Sequence, residues 1–309
     1  MDLGFAYRIG AMDHKALISA LSPEEMDRLG ALSDAKGLRH LVGHLAVIAG
    51  FSVWIVQGWP LWQVALLGQG IALCFLFTLE HEATHKTPFA SARINEWAGR
   101  IAGLVILNPF EWFRYFHLAH HRHTNIPDKD PELLSGAKPE TPGAYIRHVS
   151  GLPYWVGMAR QLVTNAIGAD PGAYIPHRAR PRVRREARVM LLVYALCGVS
   201  LLLSPLLFWV WILPCLLGQP FLRLYLLAEH GRCAYVSNML ENTRTTFTNR
   251  VVRFLAWNMP YHVEHHSLPQ VPFHQLPALH RHMKGHHRVT ADGYARFTAD
   301  YTRDVVSRP

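Results

Sequence analysis

Apolar residues along this chain collect into four long runs with little or no charge, and the stretches between them are dense in histidine, arginine and proline. A helix needs about 20 residues to cross the hydrocarbon core of a bilayer. The runs come close to that length, at about 39–59 (LVGHLAVIAGFSVWIVQGW), 61–80 (LWQVALLGQGIALCFLFTLE), 188–204 (RVMLLVYALCGVSLLL) and 206–228 (LLFWVWILPCLLGQPFLRLYLLA). Pro60 breaks the first pair and Ser204-Pro205 the second, so the pattern predicts two helical hairpins. Four crossings return the N-terminus, the middle stretch 81–187 and the C-terminal stretch 229–309 to one side of the membrane. The basic run HRARPRVRREAR (177–188) ahead of the third span makes that side cytoplasmic. Shorter apolar stretches at 98–110 and 144–167 are too brief or too interrupted to span, and are expected in the interface or packed on the cytoplasmic side. The predicted fold is a single all-α integral membrane domain over 1–309, multi-pass, with a helical, histidine-rich cytoplasmic cap. The chain shows no internal repeat or low-complexity tract.

Composition agrees with that reading, since half of the 309 residues are hydrophobic and only 17% are charged. A net charge of +9 raises the question of nucleic acid, but the densest basic run abuts an apolar span and lacks interleaved aromatics. Positive-inside flanking explains it better, and no nucleic-acid partner is expected. Cys74, Cys197, Cys215 and Cys233 form no C-x-x-C pair, and the first three lie in apolar runs, so all four are expected as reduced thiols. The opening MDLGFAYRIGAMDHK has acidic residues and no continuous apolar core, which argues against a cleaved signal peptide.

The chemistry lies in the histidines, of which there are twenty. His81 and His85 follow the second apolar run; His117, His120, His121 and His123 share HLAHHRHTN; His262, His265 and His266 share NMPYHVEHH; His230 closes the fourth run. All of them fall on the predicted cytoplasmic side. Residues three or four apart on a helix share a face, so each group can aim two or more imidazoles at one point. Adjacent histidines diverge by about 100° on a helix, so two H-x-x-H-H groups point to a dinuclear metal centre. Imidazole suits iron, zinc, copper and nickel, so ligand type alone does not name the metal.

Residues 81–85, HEATH, also spell a zinc protease site, with Glu82 as the base that activates water. Such a site needs three protein ligands and one open position, far fewer than the histidines gathered here, and the third and fourth apolar runs supply no Asp. A metal transporter would place its site near the bilayer midplane, whereas these histidines gather at helix ends.

Other polar residues have plainer expected roles. Glu82, Glu229 and Glu264 each neighbour a candidate ligand and are expected to orient imidazoles by accepting their second N–H. Asn258 is placed to reach a metal or cap a helix, and His123, on another face, is expected outside the ligand set. Asp128, Asp130 and Glu132 read first as turn residues, with a secondary role in steadying the second histidine group. Arg223 is expected to snorkel to the headgroups. His14, His40, His44, His148 and His177 read as ordinary helix-end or solvated residues, and His274, His280, His282, His286 and His287 as a basic interfacial patch. Trp112, Phe113, Tyr115 and Tyr261 are candidate walls of a substrate tunnel, with core packing as the alternative.

The pattern His81-x-x-x-His85, His117-x-x-His120-His121 and His262-x-x-His265-His266 on four predicted helices resembles the integral-membrane fatty acid desaturase and hydroxylase superfamily. The third box, NMPYHVEHHSLPQVPFHQLP, is most similar to the sphingolipid desaturase branch, whereas HLAHHRHTN departs from that branch's second box. The resemblance, over about 40–280, implies two iron ions held by His81, His85, His117, His120, His121, His262, His265 and His266, with His230 as the extra ligand from the fourth helix. It further implies O2 as co-substrate, a lipid or acyl substrate, and desaturation, with hydroxylation of a lipid, alkyl or carotenoid-type substrate as the alternative. No haem, flavin or four-cysteine cluster motif is evident in the sequence, so electrons are expected from a separate ferredoxin, or a cytochrome with its reductase.

Overall fold

The computed structural model describes residues 13–169 and 172–307; most of the N-terminal segment read above for a signal peptide lies outside them. Helices dominate. The single strand pairing among the described residues is a two-residue parallel bridge, Thr245–Thr246 with Thr290–Ala291, a small departure from the all-α expectation.

Helix α1 (Asp34–Val56) opens on Ser33, whose hydroxyl accepts from the Lys36 amide and so satisfies one of the free N–H groups of the first turn. After the Pro60 turn, α2 (Trp62–Cys74) and α3 (Leu76–His85) form one nearly continuous rod. It runs past the predicted end at 80 and carries the first histidine box in its last turns. It stops at Lys86, which adopts a left-handed φ of 63°. The final apolar rod, Phe208–His230, begins with a π-helical turn (Phe208–Ile212) and continues as α9 (Leu213–His230). Pro214 has no N–H to give the carbonyl four residues back, that of Val210. Gln69 of α2 fills the gap, donating its side-chain N–H to Val210 O at 2.8 Å.

The two rods approach closely at that level. A β-carbon added to Gly70 would sit 2.0 Å from Pro214 O, and one added to Gly218 would sit 2.1 Å from the Gly70 backbone. Glycine at both positions lets the backbones touch, the small-residue packing common where apolar helices associate.

Among the described residues, three helices are long and apolar enough to cross a membrane: Pro23–Val56, Trp62–His85 and Phe208–His230. The third predicted span differs. It is the second half of α8 (Arg180–Leu201), whose first turns carry the arginine run, so its uninterrupted apolar length falls short.

Between the rods lie α4 (Ala92–Val105), α5 (Phe110–His123), α6 (Pro142–Val149) and α7 (Leu152–Ile167). None of these is a span, in keeping with the expectation for 98–110 and 144–167. Trp97 and Ile101 on α4, and Leu152, Val156 and Ile167 on α7, are exposed, as interfacial or bilayer-facing surfaces would be. A network of ion pairs fastens α4, α5 and α8: Arg100 engages Glu96, Glu111 and Glu186, and Arg114 engages Glu96. The short helix α10 (His262–Ser267) carries the third box, and α11 (Leu276–Met283) and α12 (Tyr294–Val306) close the domain. All four cysteines are free thiols.

Candidate metal centre

The histidines of all three boxes converge. His81 and His85 come from the end of α3, His117, His120 and His121 from α5, His230 from the last residue of α9, and His262, His265 and His266 from α10. Ring nitrogens of His81, His85, His117, His121 and His265 lie within 4.8 Å of one another, and those of His120, His230 and His266 form a second group by the same measure. His262 adjoins the second group, its Nε2 3.1 Å from His230 Nε2. The groups touch through His121 and His266, whose rings stack 4.0 Å apart.

These separations are those of ligands rather than of ordinary packing. Two imidazoles at right angles around one ion at about 2.1 Å place their nitrogens roughly 3 Å apart. His85 Nε2 and His117 Nε2 are 2.9 Å apart, and His120 Nε2 and His230 Nε2 3.3 Å. Several buried ring nitrogens have no hydrogen-bond partner among the described residues, including one or both on His81, His121, His262, His265 and His266. Burying so many unpaired polar atoms is costly unless something binds them. Burial, followed by the charge of neighbouring imidazoles, pushes His117, His121, His262, His265 and His266 well below the usual histidine range. Neutral imidazoles facing one another are the donor set a pair of metal ions requires. The residues fit a dinuclear centre.

A surrounding layer fixes the rings. Asp130 Oδ1 accepts from His120 Nδ1 at 2.9 Å, which leaves Nε2 facing His230. Burial opposes a charge on His120, but the Glu132 and Asp130 carboxylates outweigh it and raise its pKa. The Asn242 carbonyl accepts from His230 Nδ1 at 3.2 Å, and Thr124 Oγ1 lies 3.1 Å from His266 Nδ1. Glu229 Oε1 is 3.4 Å from His262 Nδ1 and Glu82 Oε1 is 3.5 Å from His265 Nδ1, close to the orienting roles expected of them.

Asp130, expected first as a turn residue and secondarily to steady the second histidine group, does the latter through His120. The sequence missed one part of this layer. Asn242 acts through its backbone carbonyl, which no side-chain motif announces.

Several expectations need correction. Glu264 does not orient a box imidazole: it takes hydrogen bonds from His280, His287 (2.8 Å) and Thr245 (2.6 Å) on the far side of α10. His280 and His287 therefore leave the proposed interfacial patch. Asn258 gives its amide to the Phe273 carbonyl at 3.1 Å, on a backbone held at a positive φ of 58°, and has no contact with the histidines. His123 stays outside both groups as expected, and the adjacent Thr124 makes the contact instead.

The protease reading of HEATH also meets an obstacle. Glu82 Oε2 is held by the Thr87 hydroxyl (3.0 Å) and the Phe273 amide (3.1 Å), which turns the carboxylate toward the protein core. His81 and His85 share their locus with three further imidazoles rather than one.

A cavity of about 580 Å³ adjoins the centre. Phe77, Trp112, Phe113, Phe116, Met158 and Leu226 form its apolar wall. The Phe113 ring stacks on His117 at 5.4 Å and Phe77 lies 6.2 Å from His81, so the wall abuts the first histidine group. Glu132, beside His120, and Glu229, beside His262, also line it. Trp112 and Phe113 line this cavity and also pack in a buried apolar cluster. Tyr115 and Tyr261 do not line it: their hydroxyls accept from Arg182 (2.9 Å) and Arg253 (3.0 Å) away from the cavity.

Comparison with known proteins follows the same lines. The family model described as "Fatty acid desaturase" matches residues 57–295. The chain is 27% identical to the dihydrorhizobitoxine desaturase of Bradyrhizobium elkanii, over 94% of this chain and 84% of that one. It is 24% identical to the human sphingolipid delta(4)-desaturase/C4-monooxygenase, over 79% of this chain and 75% of that one. A match to the sn-1 oleoyl-lipid 12-desaturase of Anabaena variabilis is 29% identical, over 36% of this chain and about a third (34%) of that relative's length. With three histidine boxes converging on one site and a family match across most of its length, the chain belongs to the fatty acid desaturase family.

Proposed function

We propose that this protein is an O2-dependent di-iron oxidoreductase that desaturates an acyl chain of a fatty acid or lipid. The observation that supports it best is the pair of adjoining histidine groups beside an apolar-walled cavity. His81, His85, His117, His121 and His265 would hold one iron, and His120, His230, His262 and His266 the other. An unactivated methylene has no acidic proton for a base to remove, so the bound irons would supply, from O2 and two electrons, the oxidising strength to take its hydrogens.

The chain's own residues do the rest. Asp130 and the Asn242 carbonyl hold His120 and His230 in one tautomer and orientation, and the Glu229 and Glu82 carboxylates stand 3.4 Å and 3.5 Å from His262 and His265. Phe77, Trp112 and Phe113 keep water from the reacting carbon and hold it against the histidines. Electrons arrive from a separate ferredoxin, or a cytochrome with its reductase. The helices cross the membrane four times, with the apolar half of α8 as the remaining span, and both termini and the site face the cytoplasm. Hydroxylation is the alternative outcome at the same site, and the human relative is itself named for both reactions.

Substitution tests this reading. His120→Ala or His265→Ala is expected to abolish lipid modification, read by mass spectrometry of whole-cell lipids, while the protein remains in the membrane. Continued modification in either variant would overturn the ligand assignment, and continued proteolysis with unchanged lipids would restore the zinc-protease reading.

A further inference from the structure

The cavity beside the metal centre has a second character that catalysis does not use. Beside its apolar residues it is lined by Lys138, Arg147, His148 and Arg223. Lys138 is paired with Glu132 at 3.5 Å, and Glu229 is turned toward His262. Neither Arg147 nor Arg223 forms an ion pair among the described residues. Arg223 stacks on the Tyr154 ring at 4.6 Å, and its Nε is buried with no hydrogen-bond partner. It therefore does not reach outward as a snorkelling residue would. His148 Nε2 and Trp112 Nε1, both lining the same cavity, are likewise buried without partners. Burial and then the charges of Arg223 and Lys138 push His148 down to about 4, so at neutral pH it is uncharged and the local positive charge lies on the arginines and lysine.

The half-buried Arg223 guanidinium, which Glu132 and Glu229 attract without pairing, and three unmatched nitrogens, Arg223 Nε, His148 Nε2 and Trp112 Nε1, around one cavity are costly without a ligand that supplies acceptors, and Arg147 stands exposed at the rim. An apolar chain alone supplies none. Resting on the desaturase reading above, we propose that the substrate carries an anionic headgroup, a carboxylate or a phosphate, bound by Arg223 and Arg147 with His148 alongside, while its apolar chain lies on the Phe77–Phe113 wall toward the histidines. Arg223, near the end of α9 and seven residues before the ligand His230, then fixes which carbon reaches the metals. A neutral ester or glyceride headgroup leaves both arginines unmatched.

Binding to the full-length, detergent-purified protein as isolated, with its metal content measured separately on the same preparation, tests this independently of the di-iron assignment. The probes are a fluorescent long-chain carboxylic acid, its methyl ester and a monoacyl phosphate of equal chain length. The acid or the phosphate is expected to bind about tenfold or more tighter than the ester, as a charge-assisted pair to arginine implies; whichever anion wins identifies the headgroup. Arg223→Gln and the exposed rim variant Arg147→Gln should each erase that preference while leaving ester binding intact, and Arg223→Lys should restore part of it. Equal binding of acid and ester by the unmodified protein overturns the proposal, as does a preference that survives in both glutamine variants. If Arg223→Gln does not fold, Arg147→Gln carries the same reading alone. Failure of the metal assignment would instead appear as absent iron with the anion preference intact.

Discussion

Asp130 shows what a single residue contributes at this site. Its Oδ1 accepts from His120 Nδ1 while its Oδ2 accepts from the Asn125 amide, so one carboxylate ties the second box to the loop that follows it. Both side chains are almost fully buried, where an orienting hydrogen bond is not screened by solvent. Asp130→Asn is expected to weaken metal binding about 10–100-fold, the usual cost of losing the partner that orients a metal-bound imidazole. Titrating iron into metal-free protein and following its absorption measures this; unchanged affinity would show that His120 is not a ligand. Eight of the nine converging histidines were legible in the sequence because helical spacing puts H-x-x-x-H and H-x-x-H-H on one face, and His230 because it closes the fourth apolar run. The groups that orient them were only partly legible. Glu82 and Glu229 stand next to box histidines, whereas Asp130 and the Asn242 carbonyl reach theirs only through folding. Glu264 misled for the opposite reason: it lies between His262 and His265 in the sequence, yet helix geometry turns it away toward His280 and His287.

At the element level, α2, which runs on into the helix carrying the first box, packs closely against α9, which ends on His230. Gly70 and Gly218 allow this contact, and Gln69 repairs the hydrogen bond that Pro214 leaves open. Gly218→Ala must push two backbones apart, because its added carbon would meet Gly70 at 2.1 Å. A destabilisation of about 1–3 kcal/mol is expected, the range for overfilling a packed contact. It would be read as lowered thermal stability in detergent, with Gly198→Ala as a control, since nothing lies within 4 Å of the carbon added there. An unchanged melting temperature in Gly218→Ala would contradict the close packing. Hydropathy alone located both rods to within a few residues. It could not locate their crossing point, which depends on which glycines face each other.

At the scale of the whole molecule, the account requires one side of the membrane to carry every histidine box. Three helices have the length and apolarity to cross, and an odd number would separate 81–187 from 229–307 or leave α9 misplaced. The apolar half of α8 resolves this if it crosses. Single cysteines test it, because the native thiols are buried or half-buried. In intact cells a membrane-impermeant thiol reagent is expected to label Gln57→Cys and Ser204→Cys, and to reach Ser150→Cys and Ser237→Cys only after permeabilisation. Labelling of Gln57→Cys and Ser204→Cys from opposite sides would exclude the two-hairpin topology. The sequence pattern read α8 as a span by its apolar second half, while its arginine-rich first half is what the network with Glu186 on α8 and Arg100 on α4 uses to seat the second box.

Two irons held by the converging histidines are what the proposed function rests on, and metal content per chain measures them. Elemental analysis of protein purified from iron-replete cells is expected to give about two irons per chain, as two adjoining groups of imidazole ligands require. One tightly held zinc per chain, with no iron, would contradict the account and return HEATH to its hydrolytic reading.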